Sequence, residues 1–124
     1  MDSKITEIGQ IAVTVRDVGI SLTFYRDILG LELLFSPTEN LAFLQCGATR
    51  IMLTTPQGAG EVGKNSILYF KVTDIGNQFQ SMVHKGATPE REPQIAAQMP
   101  DHDLWIGFLK DPDGNLVGLM EEKC

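Results

Sequence analysis

The chain has only two cysteines in 124 residues, Cys46 and Cys124. That is too few for a disulfide framework and suits a reducing compartment. Basic residues are scarce as well: 10 Lys and Arg stand against 16 Asp and Glu, a net charge of −6. No basic stripe is present to neutralise phosphates, which argues against nucleic acid as a partner. No apolar run approaches bilayer length, and the stretch MDSKITEIGQ carries no apolar segment of the secretory kind. P-loops, nucleotide-binding glycine fingerprints and nucleophile elbows are missing too. These exclusions predict a soluble, cytoplasmic domain with no nucleic-acid and no membrane partner. The length suits one domain with a core of its own.

What the chain does have is a repeat. IGQIAVTVRD (8–17) alternates, with Ile11, Val13 and Val15 on one face and Gln10, Ala12 and Thr14 on the other. SILYFKVTD (66–74) alternates in the same way, with Leu68, Phe70 and Val72 opposite Ile67, Tyr69 and Lys71. Superimposing the two pairs Val15 with Val72 and Asp17 with Asp74, each 57 residues apart. Each strand leads into an amphipathic helix. The spacing predicts one over about 20–29, with Ile20, Phe24 and Ile28 on its apolar face and Gly30 as its stop. It predicts a second over about 75–85, with Ile75, Phe79, Met82 and Val83 inward and Gly86 as its stop.

Three short strands follow each helix. In the first half they fall at about 31–36, 41–46 and 50–55, with GAT as a tight turn. In the second they fall at about 88–92, 103–110 and 115–121, the last two joined by DPDG. PQGAGEVGKNS, rich in Gly and Pro, reads as the connection between halves. The predicted organisation is one domain over 1–124, with modules at about 5–55 and 66–122 and a linker at 56–65. The fold class is α+β: two βαβββ modules forming curved mixed β-sheets around a cavity. The helices cover the convex side, so the other set of alternating residues forms the concave side.

With its paired modules, the run SLTFYRDILGLELL (21–34) and the closing KDPDGNLVGLMEE (110–122), the chain resembles the vicinal oxygen chelate superfamily. That group includes glyoxalase I, bleomycin-resistance proteins, fosfomycin-resistance enzymes and extradiol dioxygenases. The motifs are specific for the fold and nearly silent about the reaction. Metalloenzymes of the family hold a divalent metal on four side chains at pseudo-symmetric positions, which the motifs place at Gln10, Met52, Ile67 and Gly118. The repeat agrees, since Gln10 and Ile67 are also 57 apart. The resemblance implies a glutamate at 118, a carboxylate at 52 and a histidine at 67. Glycine, methionine and isoleucine stand there instead, and hard cations want oxygen or nitrogen donors. The expectation is therefore no metal at the family's site and no cofactor.

In the bleomycin-resistance branch the resemblance points to sequestration of a small apolar or aromatic molecule. The residues expected to line such a cavity are Gln10, Met52, Ile67, Tyr69, Trp105, Gly118 and Met120. Gln10 offers an amide to a ligand or is a solvated strand residue; Tyr69 orients a ligand through its hydroxyl or fills volume. Lys71 reads as a rim charge. His102 sits between Asp101 and Asp103, as a general acid or base or as a solvated loop residue. Alternation from Gly118 turns Glu122 inward. An enzyme of lyase, isomerase or dioxygenase type would draw on His102, Glu122 or Tyr69, metal-free or with a metal displaced toward Gln10 and His102. A third reading is an interaction module whose cavity is collapsed. Cys46 reads as a buried small hydrophobe, and His84 as surface. The apolar run Leu31, Leu33, Leu34 and Phe35, with the resemblance, predicts a homodimer.

Overall fold

The computed structural model describes residues 4–56 and 60–124. The first three residues of the N-terminal stretch and residues 57–59 of the expected linker lie outside them. The chain divides into two compact units, 1–62 and 63–124.

In the first unit the strands are β1 (Gln10–Thr14), β2 (Glu32–Thr38), β3 (Leu41–Cys46) and β4 (Thr49–Thr54), in the order β1-β4-β3-β2. β1 runs parallel to β4, and the other pairs are antiparallel. Val13, Ala42, Leu44, Ile51 and Leu53 form the buried side. The opposite, open side carries Gln10, Ala12, Arg50, Met52 and Phe43, because directly paired residues share a face. Gly47 and Ala48 form the two-residue turn between β3 and β4, with Gly47 at φ +59°.

The first helix departs from expectation. α1 (Val18–Leu22) starts earlier, because the Asp17 carboxylate accepts a hydrogen bond from the Ile20 N–H at 3.0 Å. A π-helical segment (Thr23–Ile28) then continues it, with the Leu29 N–H bonded to the Phe24 carbonyl. The buried residues are Val18, Ser21, Phe24 and Tyr25, whereas Ile20 is 58% exposed. At about 100° per residue Val18, Ser21 and Tyr25 share one stripe of a regular helix, and Phe24 lies off it. The wider π turn lets both Phe24 and Tyr25 enter the core, their rings edge to face at 4.9 Å.

The second unit repeats the layout with β5 (Leu68–Lys71), β6 (Thr88–Gln98), β7 (Asp103–Lys110) and β8 (Leu116–Lys123), ordered β5-β8-β7-β6. Again the first strand is parallel to the last and the rest are antiparallel. These are the two four-stranded mixed sheets that the pattern predicts. β6 is longer than expected, because an edge strand with bulges tolerates Pro89 and Pro93. β5 is shorter and leaves Ile67 outside it. α2 (Ile75–His84) buries Ile75, Phe79 and Met82 as its period requires, and it packs on β6, β7 and β8. His84 is exposed.

Candidate functional site

The open face of the second sheet gathers most of the side chains singled out in the sequence. Tyr69 pairs with Gly118 on β8, and Phe108 on β7 pairs with Gly118 from the other side. A Cβ at position 118 would lie 2.5 Å from Cδ2 of Tyr69 and 2.9 Å from its Cε2. The missing side chain is thus a seat for the tyrosine ring. Tyr69 also meets Phe108 edge to face, with centroids 5.8 Å apart, yet stays 46% exposed. Met120 follows on the same face, paired with Lys71 and Ile106. An open depression of about 530 Å³ lies against Phe108, bordered also by Glu90, Arg91, Lys110 and Leu116.

At the far end of that face lies a chain of charged groups. The Lys71 ammonium is 2.9 Å from Oε1 of Glu122, and Nε2 of His102 is 3.4 Å from Oε2. Nδ1 of His102 lies 2.8 Å from Asp101. The His102 side chain is only 16% exposed, so it is not a freely solvated loop histidine. The hydrogen bond from Lys71 and its charge hold the Glu122 carboxyl below the usual range. Glu121, one residue earlier, faces the helix side. It accepts from the N–H groups of Asp74 and Ile75, both at 2.9 Å, and these bonds lower its pKa. It thereby caps α2, whose Asp74 adopts φ +59° and makes no side-chain cap of its own.

Trp105 is a correction. Alternation along β7 turns Leu104, Ile106 and Phe108 to the open face and Trp105, Gly107 and Leu109 away from it. Trp105 instead carries the Lys123 ammonium 4.5 Å above its ring. It borders a separate cavity of about 170 Å³ with Gly76, Gln80, Glu92 and Pro93. Cys46 is corrected too: it is half-buried, and that burial raises its thiol pKa.

Among the four positions of the implied metal site, Gln10 and Met52 share the open face of the first sheet. The Gln10 amide there donates to the Met52 sulfur at 3.6 Å. Ile67 precedes β5 and is exposed; Gly118 lies beneath Tyr69. An amide already engaged by a thioether, an aliphatic chain and a glycine under an aromatic ring are not a donor set for a divalent cation. The residues do not fit the group.

Sequence reasoning missed Phe108 and, in the first sheet, Phe43 and Arg50. Counting outward from the turn at Gly47–Ala48 pairs Phe43 with Met52 and Gln45 with Arg50, so the signal was present in the sequence.

Comparison with known proteins agrees with the fold. The protein YraH of Bacillus subtilis (strain 168), itself uncharacterized, is 28% identical, over 90% of this chain and 95% of its own. A lactoylglutathione lyase from Agrobacterium tumefaciens superposes with a TM-score of 0.75 at 23% identity, over 94% of both chains. TnmS3, an antibiotic binding protein from Streptomyces sp. CB03234, superposes at 0.78 with 18% identity, over 98% of this chain and 100% of its own. A profile of the Glyoxalase/Bleomycin resistance protein/Dioxygenase superfamily matches residues 7–119. The chain belongs to that superfamily.

Proposed function

We propose that the chain binds a small, largely apolar or aromatic molecule without a metal. The observation that carries this reading is the Tyr69 ring seated on Gly118, where the family resemblance puts a metal-binding glutamate. An aromatic pair, exposed Tyr69 and half-buried Phe108, beside Met120 and Ile106 offers an apolar platform with one phenolic hydroxyl at its edge. The antibiotic-binding relative of like fold is consistent with such a role. Two experiments test it on the purified chain. Metal analysis after chelator-free purification should find no stoichiometric divalent ion; stoichiometric zinc, nickel or manganese overturns the reading. A thermal-shift screen should find planar apolar compounds that raise the midpoint, and Tyr69→Ala should remove the shift.

The same proposal makes the protein a cytoplasmic homodimer, because its two cysteines suit a reducing compartment and Leu34, on the edge strand β2, is exposed. Light scattering that gives a monomer mass at micromolar concentration refutes the dimer. A second reading, an enzyme of lyase or isomerase type, is favoured by one observation: His102 held between Asp101 and Glu122. Mass spectrometry of the recovered ligand decides between them. A chemically altered ligand that is no longer altered by His102→Gln supports the enzyme; an unchanged ligand supports the binder.

A further inference from the structure

The open face of the first sheet carries two rows of side chains that the proposed function leaves unused. Ala12, Met52, Phe43 and Phe35 form an apolar row, and Gln10, Arg50, Gln45 and, at the far edge, Glu32 form the polar row beside it. Phe35 and Phe43 are stacked, with centroids 4.9 Å apart and planes 24° from parallel. Phe35 is 53% exposed, so a flat surface remains open above it. The Arg50 guanidinium stands 5.5 Å from the centre of the Phe43 ring. Among the described residues no carboxylate is within ion-pair distance of Arg50, although the chain has an excess of acids.

We infer that this face binds a planar aromatic carboxylate, its rings on Phe35, Phe43 and Met52 and its carboxylate on Arg50. The guanidinium fork matches a carboxylate in two parallel hydrogen bonds, and its position over a ring brings it to the level of a stacked ligand. Gln10 keeps a second amide hydrogen for the same anion, since only one is engaged by Met52. The net charge of −6 disfavours anions over most of the surface, so an exposed cation beside an aromatic ring is the selective element. The inference rests on the small-molecule reading above and adds the sign of the ligand's charge and the residue that selects it.

The test is a chemical-shift titration of the whole chain near neutral pH with 2-naphthoate and its neutral isostere 2-naphthamide. Naphthoate should bind about tenfold more tightly, the scale of one charge-assisted contact. The preference should shrink as salt is raised in the native protein and vanish in Arg50→Gln. Shifts should centre on Phe35, Phe43 and Met52. Equal binding of the two probes, or a preference that survives Arg50→Gln, overturns the role of Arg50 and leaves the small-molecule reading standing. Binding of neither probe overturns this assignment, and the thermal-shift screen then decides the broader reading alone. Loss of probe binding as protein concentration rises assigns the face to a second copy and also overturns the inference.

Discussion

The two units share a topology and differ in almost every side chain that matters for chemistry. In each, the first strand runs parallel to the last and the edge strand pairs antiparallel. On the open face of the first sheet, position 52 holds a methionine linked to Gln10; on the second, position 118 holds nothing and a tyrosine ring fills the space. The first helix widens into a π segment and is capped by Asp17 from its own N-terminus. The second is regular and is capped from β8 by Glu121, far away in sequence. Alternation and punctuation set the layout twice over, while single residues set the sites.

The closing hairpins give the largest expected difference. Gly47 and Ala48 turn the first, with Gly47 at φ +59° and its carbonyl accepting from the exposed Gln45 amide. The second depends on Asp111, a buried carboxylate that accepts from the N–H groups of Asp113 and Asn115 and from the Asn115 amide at 2.8–2.9 Å. Asn65 extends this network to Asn115 at 3.1 Å. Asp111→Ala should lower stability by about 3 kcal/mol, because buried donors lose a charged acceptor. Ala48→Ser in the exposed first turn should change it by less than about 0.5 kcal/mol. Denaturant titration compares them, and equal effects would show that the Asp111 network adds nothing to the second turn.

Position 118 gives the next effect. Gly118→Ala pushes the Tyr69 ring from its seat and should cost about 1–2 kcal/mol, mainly through lost contact with Gly118 and Phe108. In a Tyr69→Ala background the same change should be neutral or stabilising, since alanine suits a strand better than glycine does. A coupling near zero in this double-mutant cycle would show that the ring does not occupy the site. Gly118→Glu should cost more than Gly118→Ala, adding a carboxylate beneath the ring to the displaced contact.

Much of this was legible in the sequence, for identifiable reasons. The period-two runs fixed which residues share a face, so Gln10 with Met52, and Tyr69 with Gly118, Met120 and Glu122, follow from counting. The second helix was legible because its period is regular. The first was not, since Phe24 lies off the stripe that Val18, Ser21 and Tyr25 define at helical spacing, and a π turn brings it inward. Trp105 falls on the helix side because parity along β7 pairs it with Glu121, while Ile106 and Phe108 pair with Met120 and Gly118. The ion chain through Lys71, Glu122 and His102 joins β5, β8 and the segment before β7, so only tertiary pairing reveals it.

The smallest effects separate the two helix caps. Asp17 and Asp74 are equivalent in the repeat, yet Asp17 caps its helix from an extended backbone at φ −143° while Asp74 sits at φ +59°. Glu121 takes over the capping, and its folded pKa is lowered first by the bond from Ile75, then by that from Asp74. The sign follows from linkage: a depressed carboxyl contributes stability that is fully present above its unfolded pKa, about 4.3. That contribution declines below this value and is gone once pH passes below the folded pKa. Glu122, lowered by Lys71, acts in the same window. Glu121→Gln should therefore lower the melting midpoint by a few degrees at neutral pH and by less at strongly acidic pH, where the native carboxyl is also neutral. Asp17→Asn should leave the midpoint nearly unchanged at neutral pH, because asparagine caps a helix as well as aspartate does. A Glu121→Gln loss that stays constant from neutral to acidic pH would mean that side-chain shape, not charge, holds the second helix.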